Sequence, residues 1–261
     1  MLIQNKYELI KKIGTGSYSI VYKAKHVNKP EICAIKFDIL DNDISKKLLK
    51  NEINIYLKLL KYNISNIVNI KSFGIYNKQN YIIMSLLDID IANYVKKNYN
   101  KLNDDIVIDY FFKVYNLLNN MHKNNLIHRD IKPDNFLIKE KTGEVFIVDM
   151  GISTTYNESK EMKNIIGTPL YSSYNTHLEK YIYKPTDDII SLFYVFFHII
   201  GGSLPWENLF IKHKNVKNYI LFYMKKDYDF QKYYNDNKLL GKLISTYEYY
   251  IQNGKLINIK N

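Results

Sequence analysis

Two stretches hold most of the residues whose types can do chemistry: HRDIKPDN, residues 128 to 135, and FIVDMG, residues 146 to 151. Between them FLIKE and EVFIVD flank KTG, a short turn signal, so the two segments read as the arms of a hairpin. Asn135 and Asp149 are each seven residues from Thr142, which sets them side by side at the open end of that hairpin. A carboxylate beside an amide oxygen suits a hard cation. Magnesium fits in particular, because it takes one or two protein ligands together with waters and phosphates. A solvated hairpin end would show the same spacing, and on spacing alone the two readings stand level. Asp130 and Lys132 tip the balance. A carboxylate there can accept a proton from a hydroxyl nucleophile, and an ammonium can neutralise charge on a transferring phosphoryl group.

A second group of residues lies earlier in the chain. GTGSYSIVY, residues 14 to 22, is a glycine-rich turn between two strand-like segments, where missing side chains let backbone N–H groups approach phosphate oxygens. Hairpin turns also use glycine for backbone reasons alone, so this motif by itself is weak. On the following strand, Ala34 and Lys36 point to one face, so a small residue can lie against a flat ring while the lysine reaches phosphates. Glu52, on the edge of an apolar helix face, is an ion-pair partner that would hold Lys36 in place. Each piece has a bland explanation; the set in this order does not.

The elements that must position these residues change character along the chain. YELIKKIGTG, SIVYKAKHV, ICAIKFDIL and QNYIIMSLL are β-rich, with turn residues between them. ISKKLLKNEINIYLKLLKY is helical, with Leu49, Ile53, Tyr56 and Leu60 expected on one face and Leu48 and Glu52 on its edge. After Asp88 the pattern turns helical. Asp104 is the expected cap of a helix with Tyr110, Val114, Leu117 and Met121 on its face, flanked by Phe111 and Leu118. Thr186 is the expected cap of another that stops at Gly201 and Gly202. The expectation is an α+β chain: a small β-rich lobe with one main helix over residues 1–87 and a larger, mostly helical lobe over 88–261.

Composition narrows the classes. With 261 residues, 46% of them hydrophobic, the chain can bury a core. One cysteine, Cys33, in an apolar run excludes a disulfide framework and fits a reducing, cytoplasmic compartment. The N-terminus has no continuous apolar core of a secretory signal, and the longest apolar run, residues 189 to 200, is short of the ~20 residues that cross a bilayer. The net charge of +11 is spread over single and paired lysines, with no basic run of five or more, so neither a nucleic-acid nor a membrane partner is expected. Abundant Asn, Ile, Tyr and Lys are what an AT-rich genome favours.

Taken together, GTGSYSIV, AIK, Glu52, HRDIKPDN and DMG resemble the protein kinase signature set, with DMG where most kinases have DFG. Within kinases the chain is similar to the casein kinase 1 family and its vaccinia-related branch. GTPLYSSYNTH replaces the A-P-E region with that family's S-x-N-T-H, and DDIISLFYVFFHIIGGSLPW parallels its D-D-L-E-S-L-G-Y stretch ending in G-S-L-P-W. The resemblance implies the bilobal kinase fold and a serine/threonine kinase that uses ATP and Mg2+ on protein substrates, constitutively active. It implies Asp130 as the base that orients the substrate hydroxyl, Lys132 on the γ-phosphate, and Asn135 and Asp149 on magnesium. Lys36 would bind the α- and β-phosphates, with Glu52 fixing it. Ile13, Gly14, Thr15, Gly16, Ser17, Tyr18, Ser19, Ile20, Val21 and Ala34 would surround the nucleotide, Met84 would be the gatekeeper, and Ser85 to Leu87 the hinge that meets adenine. Asp188 would anchor the catalytic loop; a plain carboxylate at a helix N-terminus is the other reading there.

The departures from the family carry expectations of their own. Ser19 stands at the third glycine of the nucleotide loop, where ATP binding is expected to survive. KPTDD has Lys184 where casein kinase 1 has an arginine pair, which bears on any preference for acidic or phospho-primed substrates. STYEYYIQNGKLINIKN does not match the family's final helix, so a large lobe trimmed at its base is expected, and with the residue bias this points to a viral or parasite origin. Met150 replaces an aromatic residue; a flexible thioether can fill that gap, giving a live site with a softer switch. Ser153, Thr154, Thr155 and Ser159 are hydroxyls open to phosphorylation or simply exposed. The rival reading is a pseudokinase that binds nucleotide and partners, against which stands the presence of every chemical residue.

Overall fold

The computed structural model describes residues 2–98, 102–162, 164–209, 214–230 and 237–256. The chain packs as two compact units, Met1–Ile89 with Leu137–Ser153, and Asp90–Phe136 with Thr154–Asn261.

The first unit is built on a six-stranded antiparallel sheet in the order β1-β2-β3-β4-β6-β5. Its strands are β1 (Leu2–Ile3), β2 (Tyr7–Thr15), β3 (Ser19–His26), β4 (Ile32–Asp38), β5 (Ile70–Tyr76) and β6 (Gln79–Ser85). Side chains alternate between faces along a strand, so Cys33, Ile35 and Phe37 join Ile3, Tyr7, Ala24, Tyr81 and Ile83 in one apolar cluster. Ala34 and Lys36 take the other face. The register sets Val21 opposite Lys36 and Ala34 opposite Met84, gathering those four side chains on that one face. The four expected strands are all present; the two-residue β1 and β5, whose half-buried pattern carries no clean alternation, are additional.

Helix α1 (Asp43–Lys61) is capped by Asn42, whose side chain accepts from the Ser45 amide at 2.9 Å. It buries Ser45, Leu49, Glu52, Ile55, Tyr56 and Leu59. The expected face was half right: Leu49 and Tyr56 are buried, but Leu60 is 46% exposed and Ile53 only half-buried. Leucines and isoleucines lie on several sides of this helix, Leu49, Ile55 and Leu59 buried and Ile44, Leu57 and Leu60 exposed. Packing selects the stripe that includes two polar residues, Ser45 and Glu52, a choice that apolar periodicity does not reveal. Past β6, strands β9 (Phe136–Lys139) and β10 (Glu144–Ile147) form the hairpin read at KTG, the Lys139 carbonyl accepting from the amides of Thr142 and Gly143 at 3.0 and 2.9 Å.

Strand β7 (Ile89–Asp90) stands where the chain passes into the second unit, which contains α2 (Ile91–Asn98), α3 (Asp104–Lys123), α4 (Pro185–Gly201), α5 (Lys214–Lys226), α6 (Lys238–Asn253) and the paired β8 (Leu126–Ile127) and β11 (Thr154–Thr155). The expected face of α3 is buried throughout. Its cap is Asn103 rather than Asp104, the asparagine side chain accepting from the Ile106 amide at 3.0 Å; Asp104 and Asp105 instead complement the helix dipole. In α4 the cap is Lys184, not Thr186, because Pro185 takes the first helical position and the Asp187 carboxylate turns back to the Lys184 amide at 2.8 Å. Every residue from Asp187 to Phe197 is buried. The helix stops as expected, with Gly202 at φ +78°. STYEYYIQN, for which no match to a final helix was expected, belongs to α6. Its leucines and tyrosines make the face, and Tyr247 packs edge-on against Phe197 and Phe230. Tyrosines in place of aliphatic residues disguise that stripe in the sequence. Residues 257–261 of the same stretch lie outside the described residues.

Candidate active site

In the first unit the constellation centres on Lys36. Its ammonium lies 2.7 Å from Glu52 Oε2 and 2.9 Å from Asp149 Oδ1. Strand β4 delivers the lysine, α1 the glutamate, and the residues just after β10 the aspartate. Lys36 is 8% exposed and Glu52 1%, so burial opposes both charges. For Lys36 the carboxylates of Glu52 and Asp149 outweigh burial, and its pKa rises. For Glu52 burial outweighs the attraction of Lys36, the Asp149 charge adding to it, and its pKa rises too. Lys36 has two carboxylates within 2.9 Å, so the group is an ammonium held between carboxylates; Glu52 Oε1 is buried with no hydrogen-bond partner among the described residues.

Asp149 adopts φ +64°, the left-handed region, which costs a non-glycine residue about 1–3 kcal/mol and persists only where its surroundings enforce it. Two sets of contacts among the described residues contribute. One is the Lys36 ion pair. The other is Asn51 on α1, whose amide nitrogen donates to the carbonyls of Gly151 and Ser153, both at 2.9 Å, with the Met150 carbonyl at 3.4 Å. Two net hydrogen bonds of about 1 kcal/mol each match the backbone cost. Met150 itself is fully buried, so the thioether does fill its space.

The glycine-rich turn joins β2 to β3. Ile13, Gly14 and Thr15 end β2, Gly16, Ser17 and Tyr18 form the turn, and Ser19, Ile20 and Val21 begin β3. Neither Gly14 nor Gly16 has positive φ, and a Cβ at either would meet nothing closer than 3.6 Å. The fold does not itself require glycine at these two positions. Ser45 ties the turn to α1: its hydroxyl accepts from the Ile39 amide at 2.6 Å and donates to the Tyr18 carbonyl. On the sheet face bearing Ala34, Met84 is buried, and Leu87 is half-buried two residues beyond β6.

The second unit holds Asp130, Lys132 and Asn135. Asp130 Oδ2 meets the Lys132 ammonium at 2.8 Å, and Oδ1 accepts from the Thr168 hydroxyl at 2.8 Å. The Asn135 amide nitrogen donates to the Asp130 carbonyl at 2.7 Å, which points the other end of that amide, its oxygen, away from the bond. Beneath them Asp188, fully buried at the start of α4, accepts from the amides of His128 and Arg129, both at 2.9 Å, from the Tyr183 hydroxyl at 3.0 Å, and meets His122 Nε2 at 2.9 Å. Burial opposes its charge, but His122, His128 and these donors outweigh it and hold Asp188 below the usual carboxylate range. Both readings of Asp188 therefore hold together: it stands in the first turn of a helix, and it fastens the loop. Gly167, at φ +86°, lies so close to that loop that a Cβ would collide with the Arg129 carbonyl oxygen.

Asp149 belongs to the first unit and Asn135 to the second. Among the described residues no group of three or more His, Cys, Asp or Glu side chains is arranged to hold a metal. One carboxylate and one amide oxygen suit magnesium, which draws its remaining ligands from water and phosphate. The motifs point to the charged residues but not to Asn51, Ser45 or the packing role of Gly167. Asn51 left one signal, an amide one residue before Glu52 in a helix interior, where asparagine is unfavourable. Residues 7–247 match the family described as protein kinase domain. With a β-rich sheet unit, a helical unit and this match over most of its length, the chain belongs to the eukaryotic-type protein kinase family.

Proposed function

We propose that this kinase transfers the γ-phosphoryl group of ATP to serine and threonine hydroxyls of protein substrates, in the manner of casein kinase 1. The observation that carries the reading is the state of Asp130: one oxygen on Lys132 and the other on Thr168, both at 2.8 Å. A carboxylate so held has a fixed direction for accepting a hydrogen bond from a substrate hydroxyl, and an ammonium beside it to meet phosphate charge. Lys36 would bind the nucleotide phosphates, its ammonium kept charged and aimed by Glu52 and Asp149. Val21, Ala34 and Met84, sharing the face of Lys36, would lie against the adenine. Asn135 and Asp149 would hold magnesium, which supplies neutralisation of phosphate charge when bound.

The complete set of chemical residues, with the Lys36–Glu52 pair formed, supports an active enzyme over a nucleotide-binding scaffold. A preference for acidic or phospho-primed substrates, action in a reducing cytoplasm, and a viral or parasite source belong to the same proposal. Cys33, buried and with its thiol pushed up to about 11 by burial, suits such a compartment as a core residue. Labelled ATP with magnesium and casein tests the activity. Wild type should label the substrate, and Asp130→Asn and Asp149→Asn should each lose about 10²–10⁴-fold. Equal labelling by all three proteins would overturn the proposal. Peptide arrays test the substrate preference: no gain from upstream phosphoserine or Asp would remove it.

A further inference from the structure

Asn51 takes no part in the chemistry above, yet three backbone carbonyls converge on its amide nitrogen. We propose that Asn51 is a positioning residue for Asp149, clamping the turn of residues 149–153 to α1 so that the Asp149 carboxylate is presented for a nucleotide-bound cation; this rests on the reading of Asp149 as a cation-holding group. The carbonyls fix which end of the amide faces the turn. Gly151 O and Ser153 O at 2.9 Å and Met150 O at 3.4 Å are all acceptors, so only the NH2 end fits. Its two hydrogens serve the two short contacts.

The clamp has three footholds on one side of α1, at spacings that share a helix face. At Leu48, the helix lies against Gly151, where an added Cβ would stand 3.7 Å from both the Leu48 carbonyl oxygen and its Cβ. At Asn51, the amide takes the carbonyls. At Glu52, the carboxylate reaches Asp149 through Lys36. The turn is closed on itself by the Ser153 amide on the Met150 carbonyl at 3.1 Å, so the Ser153 N–H reports whether the turn is intact. Together these contacts hold Asp149 at its left-handed φ of +64°. Any displacement of α1 would carry the carboxylate with it.

Two variants test the proposal. Asn51→Asp sets a carboxylate against three carbonyls. Asn51→Ala removes the donor while replacing asparagine by a better helix former, so a brace that served only α1 would not be weakened. Amide exchange in the nucleotide-free protein should be roughly 5–30-fold faster at Ser153 in Asn51→Ala, and faster still in Asn51→Asp. The magnesium concentration that half-saturates the thermal shift given by ATP should rise by a similar factor, with kcat at saturating magnesium recovering in Asn51→Ala. Unchanged Ser153 exchange in both variants would overturn the clamp. Faster exchange with an unchanged magnesium requirement would overturn its role in presenting Asp149. A wild type that transfers no phosphate would instead strike the proposed function, and the exchange comparison would still decide the clamp.

Discussion

Asp149 in the first unit and Arg129 in the second are both non-glycine residues at left-handed φ, +64° and +71°, and both lie in loops that carry proposed chemistry. What holds each loop differs. The Arg129 loop is fastened through backbone amides to Asp188, a carboxylate with no exposed surface on the helix whose first eleven residues after Thr186 are all buried. The Asp149 turn is fastened from α1 by less buried groups: Asn51, half-buried, donates to the turn's carbonyls, and Glu52 reaches the Asp149 carboxylate, 40% exposed, through Lys36 of β4. A fully buried anchor leaves little room for adjustment, whereas a half-buried fastening to one helix allows the turn to follow that helix. The second unit thus builds a fixed loop, the first an adjustable one.

The sharpest way to break the comparison is to remove the fixed anchor. Asp188→Ala leaves two backbone amides and the Tyr183 hydroxyl as buried donors without their acceptor. Removing one partner of such a buried charged network costs about 3–5 kcal/mol, to be read as a large fall in the midpoint of urea unfolding. The wild type should show the matching pH dependence. Asp188 has a folded pKa below its unfolded value of about 3.9. Its contribution is therefore complete above that unfolded value and lost as the pH falls through the depressed folded one. An acid limb of stability in that window should be present in wild type and flattened in Asp188→Asn. The same limb in both proteins would remove Asp188 as its source.

A smaller effect is expected where the second loop meets Gly167. Alanine there must adopt φ +86° and push the Arg129 carbonyl aside, a cost of about 2–4 kcal/mol from strain and overpacking. The displacement falls on the residue beside Asp130, so kcat should drop with little change in the KM for ATP. Alanine at Gly16, where a Cβ meets only Ser19 at 3.9 Å, should leave stability untouched and raise the KM instead. If both substitutions acted alike, the contrast between a glycine needed by the fold and one that the fold does not itself require would fail.

The fixed loop was the more legible of the two in the sequence. HRDIKPDN announces Asp130, Lys132 and Asn135, and the apolar run after Asp188 announces the buried helix beneath them, because long periodic or uniformly apolar segments leave few alternatives. Caps were less legible. Asn103, Asp104 and Asp105 are all competent at a helix start, and only tertiary placement selects Asn103. The α1 face was misread by one position on one side, since a helix with apolar residues on several sides is oriented by its neighbours. Asn51 escaped for a related reason: its partners are backbone carbonyls a hundred residues away, and carbonyls have no residue type to recognise.

The adjustable turn should yield most gently when either the ion pair or the amide clamp is loosened. Glu52→Gln keeps the shape and replaces a carboxylate by an amide oxygen 2.7 Å from Lys36. Lys36 would retain Asp149 at 2.9 Å, so its charge would persist, but the restoring pull toward α1 would weaken. A hydrogen bond to a charged group is worth about 1.5–3 kcal/mol, and with Asp149 still present the lower end applies, roughly tenfold in kcat/KM for ATP. Stability should change less than activity, because neutralising Glu52 also removes the cost of a buried carboxylate whose second oxygen has no partner among the described residues. Combined with Asn51→Ala, the two losses should exceed their sum, since each variant alone leaves the other fastening to hold Asp149. Strict additivity in that double-mutant cycle would mean that the ion pair and the amide clamp act on separate parts of the turn, and the first unit would then have no shared hinge on α1.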